Sequence, residues 1–412
     1  MKCVINNEVV LSRPPEGPLA AYIVLFAQSL REQGYGLWAQ KYQVRIAAGF
    51  DRWLKQKGIG ARRISSEHPA LYLRYRYRHQ RFHSEDSAAL SHFIDCLRRE
   101  GVIPGEKKSV HLLTPIERCA QAYEQYLREA RALAEATIVN YVPFILKFLK
   151  DRFGDGPVTL SRLCAGDILE FVQRQVPQLH LKRAKLMTTA LRSFLQYARY
   201  SGDILLDLAA AVPIVANWSM TSIPRGIAPN QIRQLLDSID RLTPIGLRDY
   251  AILLLLARLG LRAGEVTSLE LDDIDWGEGK MSVCGKGGQR NDLPLTTEVG
   301  EAIATYLRHG RPPSTSRRVF LRAKAPIRGF RGSCGVGSIV RHSLERAGIL
   351  APTKGAHQFR HGLATEMLRQ GASLSEIGDL LGHRHPQTTE IYAKVDLKAL
   401  RTLALPWPGD LR

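Results

Sequence analysis

Apolar positions recur every three to four residues through most of the chain, a spacing typical of amphipathic helices. It predicts a largely helical first half, with helices separated by short glycine, proline or polar breaks. The predicted helices of this half cover 42–57, 87–100, 120–132, 136–153, 164–175 and 182–202.

The second half contains one clear departure from the helical pattern. Two short segments with strand character, 280–284 and 291–295, flank the glycine-rich sequence 285–290. This arrangement predicts a β-hairpin. Further helices are predicted at 248–259, 298–308, 338–347, 357–369, 375–381 and 386–395.

A proline-rich stretch suggests how the chain divides. Residues 213–229 contain three prolines and few periodic apolar positions, so we interpret them as an interdomain linker. The other predicted parts are an N-terminal helical region over 1–110, a helical domain over 112–212 and a C-terminal domain over 230–412. A chain of 412 residues has room for these cores.

Charge is the unusual feature of the composition. The chain has 58 Lys+Arg against 39 Asp+Glu, a formal charge of +19. Because these residues are spread along a chain of globular composition, the charge favours nucleic acid as a partner. No apolar run approaches the roughly 18 residues of a membrane span. Six dispersed cysteines without a C-x-x-C pair favour a reducing, cytoplasmic setting, in which a DNA-binding protein would be associated with the nucleoid.

Two basic segments are candidates for DNA contact. In 71–82, basic and aromatic residues alternate, and in 182–202 basic residues are interspersed among apolar ones. Either segment equally fits a packed helix whose charged side chains extend into water. The candidate DNA-binding residues are Arg74, Arg76, Arg78, Lys182, Arg183, Lys185, Arg192 and Arg290.

Five short segments of the C-terminal half supply residue types that one reaction requires together. Breaking a phosphodiester without a metal ion needs a nucleophile, positive charge on the non-bridging oxygens and an acid for the leaving oxygen. Tyr392 could attack phosphorus, and Arg262 with Arg360 could hold the phosphate through their guanidinium groups. Lys286, on the predicted hairpin tip, could protonate the leaving oxygen.

Two histidines complete this candidate site. His357 lies one helical turn before Arg360, so both could reach the same phosphate. His383 follows Leu381-Gly382 at a predicted helix end.

A zinc site is the rival interpretation of these histidines, because His357 and His361 are four residues apart. However, Gln358 stands where an H-E-x-x-H hydrolase has its glutamate, so we predict no metal and no other cofactor.

These segments, in their order, resemble the boxes of the tyrosine recombinase (phage integrase) family. The resemblance covers roughly 225–395 and includes the spacing of nine positions from His383 to Tyr392. The motifs that carry it are Gly260-Leu261-Arg262 with Glu265, Gly285-Lys286-Gly287, His357-Gln358-Phe359-Arg360-His361, Leu381-Gly382-His383 and Thr388-Thr389-Glu390-Ile391-Tyr392.

The resemblance implies a role for each matching residue. Arg262 and Arg360 would clamp the phosphate, His383 would donate a hydrogen bond to it, and Tyr392 would be the nucleophile. Lys286 would be the general acid, His357 a proton shuttle and Glu265 a supporting residue. Two positions depart from the family pattern, since the usual serine after the first arginine is absent and Lys394 replaces a common histidine.

The resemblance also implies the architecture and the activity. We expect a mainly α fold with a small antiparallel sheet in the C-terminal catalytic domain. The 112–212 domain would be a SAM-like core-binding domain that closes a C-shaped clamp on DNA, with 1–110 as an extra helical region.

The expected function is site-specific recombination, as an integrase or transposase of a mobile element. It would proceed through a 3′-phosphotyrosine and a Holliday junction, without metal or ATP. The partners would be double-stranded DNA with specific core sites and three further copies in a homo-tetramer, together with any sister recombinases. The alternatives are a type IB topoisomerase-like enzyme and a non-catalytic architectural DNA-binding protein of the same fold.

Overall fold

The structure is a computed structural model whose described residues form two compact units. One unit is 107–221, and the other combines 1–106 with 222–412. The fold is mainly helical with a small antiparallel sheet, which confirms the predicted fold class. In this described part, no helix is long and apolar enough to cross a membrane. The structure describes 3–5, 9–11, 13–81, 83–103, 113–215, 225–285, 288, 290–351, 353–383 and 385–395.

The first part of the larger unit is a helical region with its own apolar core. A two-stranded antiparallel pair, β1 (Cys3–Ile5) and β2 (Val9–Leu11), precedes its helices. The buried Phe26, Phe50 and Phe93 lie in this core. The four helices are α1 (Ala20–Glu32), α2 (Leu37–Gln56), α3 (His68–His79) and α4 (Glu85–Arg99).

A fully buried carboxylate fixes the start of this region. Asp51 of α2 accepts hydrogen bonds from the backbone N–H groups of Gly17 and Leu19, at 2.8 and 2.7 Å. These amides lie just before α1, where N–H groups lack intrahelical partners. Asp51 therefore ties the entry of α1 to the middle of α2.

The end of α1 contacts the C-terminal part of the same unit, 222–412. The backbone N–H of Ile327 donates to the carbonyl oxygen of Gln33 at 2.9 Å. Gly34 has φ +78°, and a Cβ there would meet Ile327 Cγ1 at 2.4 Å. Glycine is required because both the backbone angle and the close approach exclude a side chain.

The smaller unit is a four-helix domain around an aromatic core that includes Tyr123, Phe148, Phe171 and Phe194. A capping box opens its first helix, since Thr114 and Glu117 each accept a hydrogen bond from the other's backbone N–H. Its helices are α5 (Pro115–Glu129), α6 (Glu135–Phe153), α7 (Ala165–Gln175) and α8 (Leu181–Tyr200).

The C-terminal part of the larger unit packs helices around one deeply buried helix. The stretch Ala251–Leu256, within this helix, is completely buried. The predicted hairpin is confirmed within a three-stranded antiparallel sheet of order β3-β4-β5. The elements are α9 (Pro229–Asp237), α10 (Pro244–Arg258), α11 (Ala263–Ser268), β3 (Ile274–Asp275), β4 (Lys280–Cys284), β5 (Arg290–Pro294), α12 (Thr297–Thr305), α13 (Cys334–Arg346), α14 (His357–Arg369) and α15 (Leu374–Leu381).

The segment that carries the candidate nucleophile is not the continuous helix predicted over 386–395. It forms two 3₁₀ segments, Pro386–Thr388 and Glu390–Val395, separated by Thr389. The prediction of one helix was wrong because the backbone N–H groups of Thr389 and Tyr392 bond three residues back, rather than four.

Candidate active site

Arg262 is held at the start of α11 by a carboxylate from the same helix. Glu265 accepts from the backbone N–H of Arg262 and from its guanidinium group, both at 2.7 Å. Glu265 is buried, whereas about a third of the Arg262 side chain is exposed. Glu265 therefore holds the backbone and one guanidinium nitrogen of Arg262 in place, and the exposed part of the guanidinium stays accessible to a ligand.

Arg360, on the first turn of α14, is almost completely buried at 3% exposure. Its guanidinium donates to the carbonyl oxygen of Gly260 at 2.8 Å and also to that of Leu381. Burial and the neighbouring positive charge of Arg262 lower the pKa of Arg360 to about 10. Two like charges held together in a buried site create a strong preference for an anion between them.

Two histidines on α14 lie next to each other. The rings of His357 and His361 are perpendicular, with centroids 5.0 Å apart. His357 is exposed and His361 is half-buried. Burial, followed by the influence of His357 and Arg360, lowers the pKa of His361 to about 4.

A glycine and a threonine fix the position and orientation of the His383 side chain. Gly382, at φ +59°, ends α15 in the left-handed conformation, so the chain turns at His383. His383 Nδ1 lies 2.7 Å from the hydroxyl oxygen of the buried Thr389. Burial, then Arg360 and Arg262, lower the pKa of His383 to about 4. The Thr389 contact occupies Nδ1, which leaves Nε2 for a ligand.

The candidate nucleophile is buried among these groups. Tyr392 is 1% exposed, and its hydroxyl oxygen lies 3.0 Å from His361 Nδ1. Burial raises the pKa of Tyr392, and the nearby charges of Arg360 and Arg262 partly oppose that rise. The structure thus brings together the predicted residues Arg262, Glu265, His357, Arg360, His383 and Tyr392.

Lys286 lies outside the described residues. The strands on either side of it are described, with Cys284 opposite Arg290 in the β4–β5 register. Arg290 is largely exposed and lies 3.6 Å from Asp273. Another hairpin residue reaches the site region, because a Cβ at Gly382 would meet the Asn291 amide nitrogen at 2.2 Å.

Sequence reasoning missed two side chains of this cluster. The predicted catalytic set does not include His361, and it contains Thr389 only as part of a motif without a role of its own. Both matched family boxes, so a signal for their presence existed. Their partners, Tyr392 and His383, emerge only from the folded chain, because 31 positions separate the first pair and the second needs a specific 3₁₀ turn.

The candidate DNA-binding residues of α3 differ in orientation. Arg74 and Arg78 are exposed. Arg76 instead points inward and donates to the fully buried Asp86 at 3.0 Å. Tyr72, from the same segment, is buried in the core. The helix therefore combines a packed face with an exposed basic face.

The candidates on α8 also divide into two sets. Lys182 and Lys185 are exposed. Arg183 is exposed, stacks over Phe144 at 4.8 Å and donates to Asn140 at 3.3 Å. Arg192 is half-buried and donates to the carbonyl oxygens at 212 and 213, at 2.9 and 3.0 Å. The first turns of α8 thus carry the accessible charges.

The histidines do not form a metal centre among themselves in the part of the chain that the structure covers. Within it, no group of three or more His, Cys, Asp or Glu side chains is arranged to hold a metal ion. The positive charges of Arg262 and Arg360 lie close enough to the Tyr392 hydroxyl to influence its pKa. This cluster is suited to an oxyanion, and a phosphodiester between the two arginines would meet a hydroxyl nucleophile on one side.

Comparison with known proteins places this geometry in context. Residues 225–398 match the model of the phage integrase family, and 120–202 match the model of the phage integrase N-terminal SAM-like domain. The chain is 60% identical over 410 residues to the integrase/recombinase y4rA of Sinorhizobium fredii (strain NBRC 101917 / NGR234), covering 100% of both chains.

More distant relatives extend this result. Tyrosine recombinase XerD of Mycobacterium tuberculosis (strain ATCC 25618 / H37Rv) is 30% identical over 306 residues, covering 70% of this chain and 96% of the relative. The fold resembles that of the XerH site-specific recombinase bound to palindromic difH substrate in a post-cleavage complex, with a TM-score of 0.55 at 20% identity. That match covers 70% of this chain and 84% of the XerH chain. The chain belongs to the phage integrase family of tyrosine recombinases, whose members are site-specific DNA recombinases.

Proposed function

We propose that this recombinase cleaves and rejoins DNA through a covalent 3′-phosphotyrosine formed at Tyr392. The observation that carries the proposal is the burial of the Tyr392 hydroxyl beside two arginines, one of which is itself buried. A phosphodiester placed there would offset part of the positive charge of Arg262 and Arg360. The same charges would stabilise the additional negative charge of the transition state.

The remaining residues serve the leaving group and the phosphate oxygens in this proposal. His383 donates from Nε2 to a non-bridging oxygen, because Thr389 occupies its other nitrogen. His357 shuttles protons at the exposed side of the site. Lys286 protonates the 5′ oxygen, a role that rests on its place in the family motif. The phosphotyrosine conserves the energy of the broken bond, so no nucleotide and no metal ion is required.

The proposed oligomeric state follows from the number of DNA strands that are cleaved. Two recombining duplexes have four strands, and each chain brings one Tyr392, so we propose a homo-tetramer on two synapsed core sites, with sister recombinases as further partners. Strands are exchanged in pairs through a Holliday junction. We propose that the domains 112–212 and 230–412, joined by the linker 213–229, both bind the DNA.

Basic surfaces support this placement on DNA. Lys182, Arg183 and Lys185 are exposed on the first turns of α8, and Arg74 with Arg78 is exposed on α3 in the N-terminal region 1–110. Exposed Lys and Arg side chains neutralise phosphates and release counterions. We place the enzyme on the nucleoid in the cytoplasm, as part of a mobile element.

The direct test removes only the attacking oxygen. Tyr392→Phe keeps the ring that fills the core, so specific DNA binding should survive while covalent protein–DNA adducts disappear. Adducts at the parent level would assign the nucleophile to another residue.

A second test concerns metal ions. The parent enzyme in excess EDTA should cleave at an essentially unchanged rate. Loss of activity that only added zinc or magnesium restores would contradict a metal-free mechanism.

A plasmid without core sites separates recombination from topoisomerase activity. A recombinase leaves such a plasmid supercoiled, because its cleavage depends on site recognition and synapsis. Efficient relaxation by the parent enzyme would favour the type IB topoisomerase-like alternative. Specific binding with no adduct on any core-site substrate would favour an architectural DNA-binding protein.

A further inference from the structure

The Tyr392 hydroxyl is in contact with a histidine outside the set of phosphate ligands. His361 Nδ1 lies 3.0 Å from the hydroxyl oxygen, and the ring centroids are 5.7 Å apart. His361 is the residue after Arg360 on α14. The helix thus places a phosphate-binding guanidinium and the partner of the nucleophile on adjacent positions.

The hydrogen-bond direction follows from the protonation of both groups. The Tyr392 hydroxyl keeps its proton at neutral pH, because burial raises its pKa. No second hydrogen-bond partner for this hydroxyl is present in the described portion of the chain. A buried O–H needs an acceptor, so the proton points at His361 Nδ1.

The surroundings keep His361 neutral and therefore able to accept. His357 and Arg360 face it from its own helix, and both disfavour a positive charge on its ring. His383, from the turn after α15, is close enough to interact with it, and Tyr392 faces it directly. The charged neighbour Arg262 lies in the same cluster.

We propose that His361 is the general base that accepts the phenolic proton of Tyr392 during DNA cleavage. The inference rests on the proposed role of Tyr392 as nucleophile. As the Tyr392 oxygen forms its bond to phosphorus, the bond from phosphorus to the 5′ oxygen breaks. The phenolic proton moves to His361 Nδ1, and the general acid supplies a separate proton to the 5′ oxygen. Rejoining reverses both transfers, so His361 returns the proton to Tyr392.

The DNA phosphate itself would increase the basicity of His361. In the free protein, the positive charge of Arg360, which lies beside Arg262, opposes protonation of the imidazole. A phosphodiester anion bound between those arginines cancels part of that field, which favours the imidazolium. The base is therefore weak until substrate is bound, and strengthens when the nucleophile is needed.

The test is single-turnover cleavage of a core-site half-substrate by the full-length chain. His361→Ala should lower the rate of adduct formation by about 10²-fold or more, the range for a lost general base, with unchanged DNA affinity. His361→Asn keeps a hydrogen-bond acceptor near the Nδ1 position but takes no proton, so its rate should also be low. His309→Asn, an exposed histidine on another segment, is the matched control and should cleave at the parent rate.

Two readouts separate proton transfer from packing. Added imidazole should partly restore cleavage by His361→Ala. The variant should also regain rate as pH rises to 10 and above, because a growing fraction of the Tyr392 phenol, whose pKa burial raises, is then ionised. Rates within threefold of the parent for both His361 variants would overturn the inference. Full activity of His361→Asn alone would also overturn it, because positioning without proton transfer would then suffice.

Failure of this inference is distinguishable from failure of the proposed function. If Tyr392→Phe abolishes adducts while both His361 variants cleave normally, Tyr392 remains the nucleophile and only the base assignment fails. If Tyr392→Phe still forms adducts, both fail together.

Discussion

Buried charge has different surroundings in the N-terminal region and in the candidate active site. Asp86 is fully buried, and its carboxylate accepts from Tyr42 at 2.5 Å and from Arg76 at 3.0 Å. Opposite charges and hydrogen bonds satisfy this group within the fold. Arg360 is buried beside a second arginine instead, and its pKa falls to about 10. The N-terminal cluster pairs its charges within the fold, whereas the candidate active site holds an excess of positive charge that a bound anion would offset.

The largest effect is expected from removing the excess positive charge of the candidate active site. Arg360→Ala should lower the single-turnover rate of adduct formation by about 10³-fold, at the upper end of the loss for a group that stabilises transition-state charge. Arg360→Lys keeps the charge without the guanidinium fork, so its rate should lie between those of Arg360→Ala and the parent.

The thermal stability of both Arg360 variants is the accompanying control. Arg360 also donates to two backbone carbonyls, so Arg360→Ala should lower the melting temperature moderately. Cleavage by folded Arg360→Ala within tenfold of the parent rate would mean that the arginine is structural, like Arg76.

Substitution of Lys286 distinguishes the proposed general acid from the arginines that bind the phosphate. On ordinary DNA, Lys286→Ala should lose about 10²-fold or more in cleavage rate, the range for a lost general acid. A substrate with sulfur in the bridging 5′ position should largely restore this rate, because a thiolate leaves without a proton. Arg262→Ala should stay slow on both substrates.

The rescue experiment also identifies the alternative acids. If sulfur fails to restore Lys286→Ala, the lysine positions DNA or stabilises charge. The acid would then be sought among His357, His383 and Arg290.

The N-terminal cluster should respond in the opposite way. Asp86→Ala removes the partner of Arg76 and Tyr42, and breaking such a buried pair costs about 3 kcal/mol of unfolding free energy. Urea denaturation checks the loss, with the exposed neighbour variant Glu85→Gln as the matched control. Cleavage of a core half-site by folded Asp86→Ala should stay within a few-fold of the parent. A selective loss of cleavage with unchanged stability would contradict the structural role.

The smallest expected effect concerns pH. His361 and His383 have pKa values lowered to about 4, whereas an unfolded histidine titrates near 6.5. Between these values the unfolded state binds more protons, so stability falls as pH drops from 7 towards 4. Melting temperatures should decrease by a few degrees over this window. The double variant His361→Asn, His383→Asn should show a shallower decrease, and an equal slope would contradict the lowered values.

Local sequence signals predicted much of the fold and the site. The 357–369 helix has the predicted bounds, and the hairpin lies within one residue of its predicted strands. Both have strong periodicity or turn signals. The ordered boxes predicted a set of residues that the fold brings close together, and the roles of these residues stay predictions.

Long-range packing accounts for what sequence did not predict. The contact between Gly34 and Ile327 joins two parts of the larger unit that are far apart in the chain. Whether Arg76 points inward depends on Asp86 of the next helix, which alternation of basic and aromatic residues does not reveal. The His361–Tyr392 contact likewise depends on the 3₁₀ segment Glu390–Val395, whereas the spacing of apolar residues predicts a continuous helix over 386–395.

Chemical identification of the DNA-linked residue tests most directly whether Tyr392 is the nucleophile. Trapped complexes of the parent enzyme with a core half-site can be digested by protease and nuclease and sequenced by mass spectrometry. We expect a nucleotide joined through its 3′ phosphate to the peptide that contains Tyr392. A nucleotide on Tyr141, Tyr200, Tyr250 or any other residue would contradict the claim that the buried arginine cluster activates Tyr392.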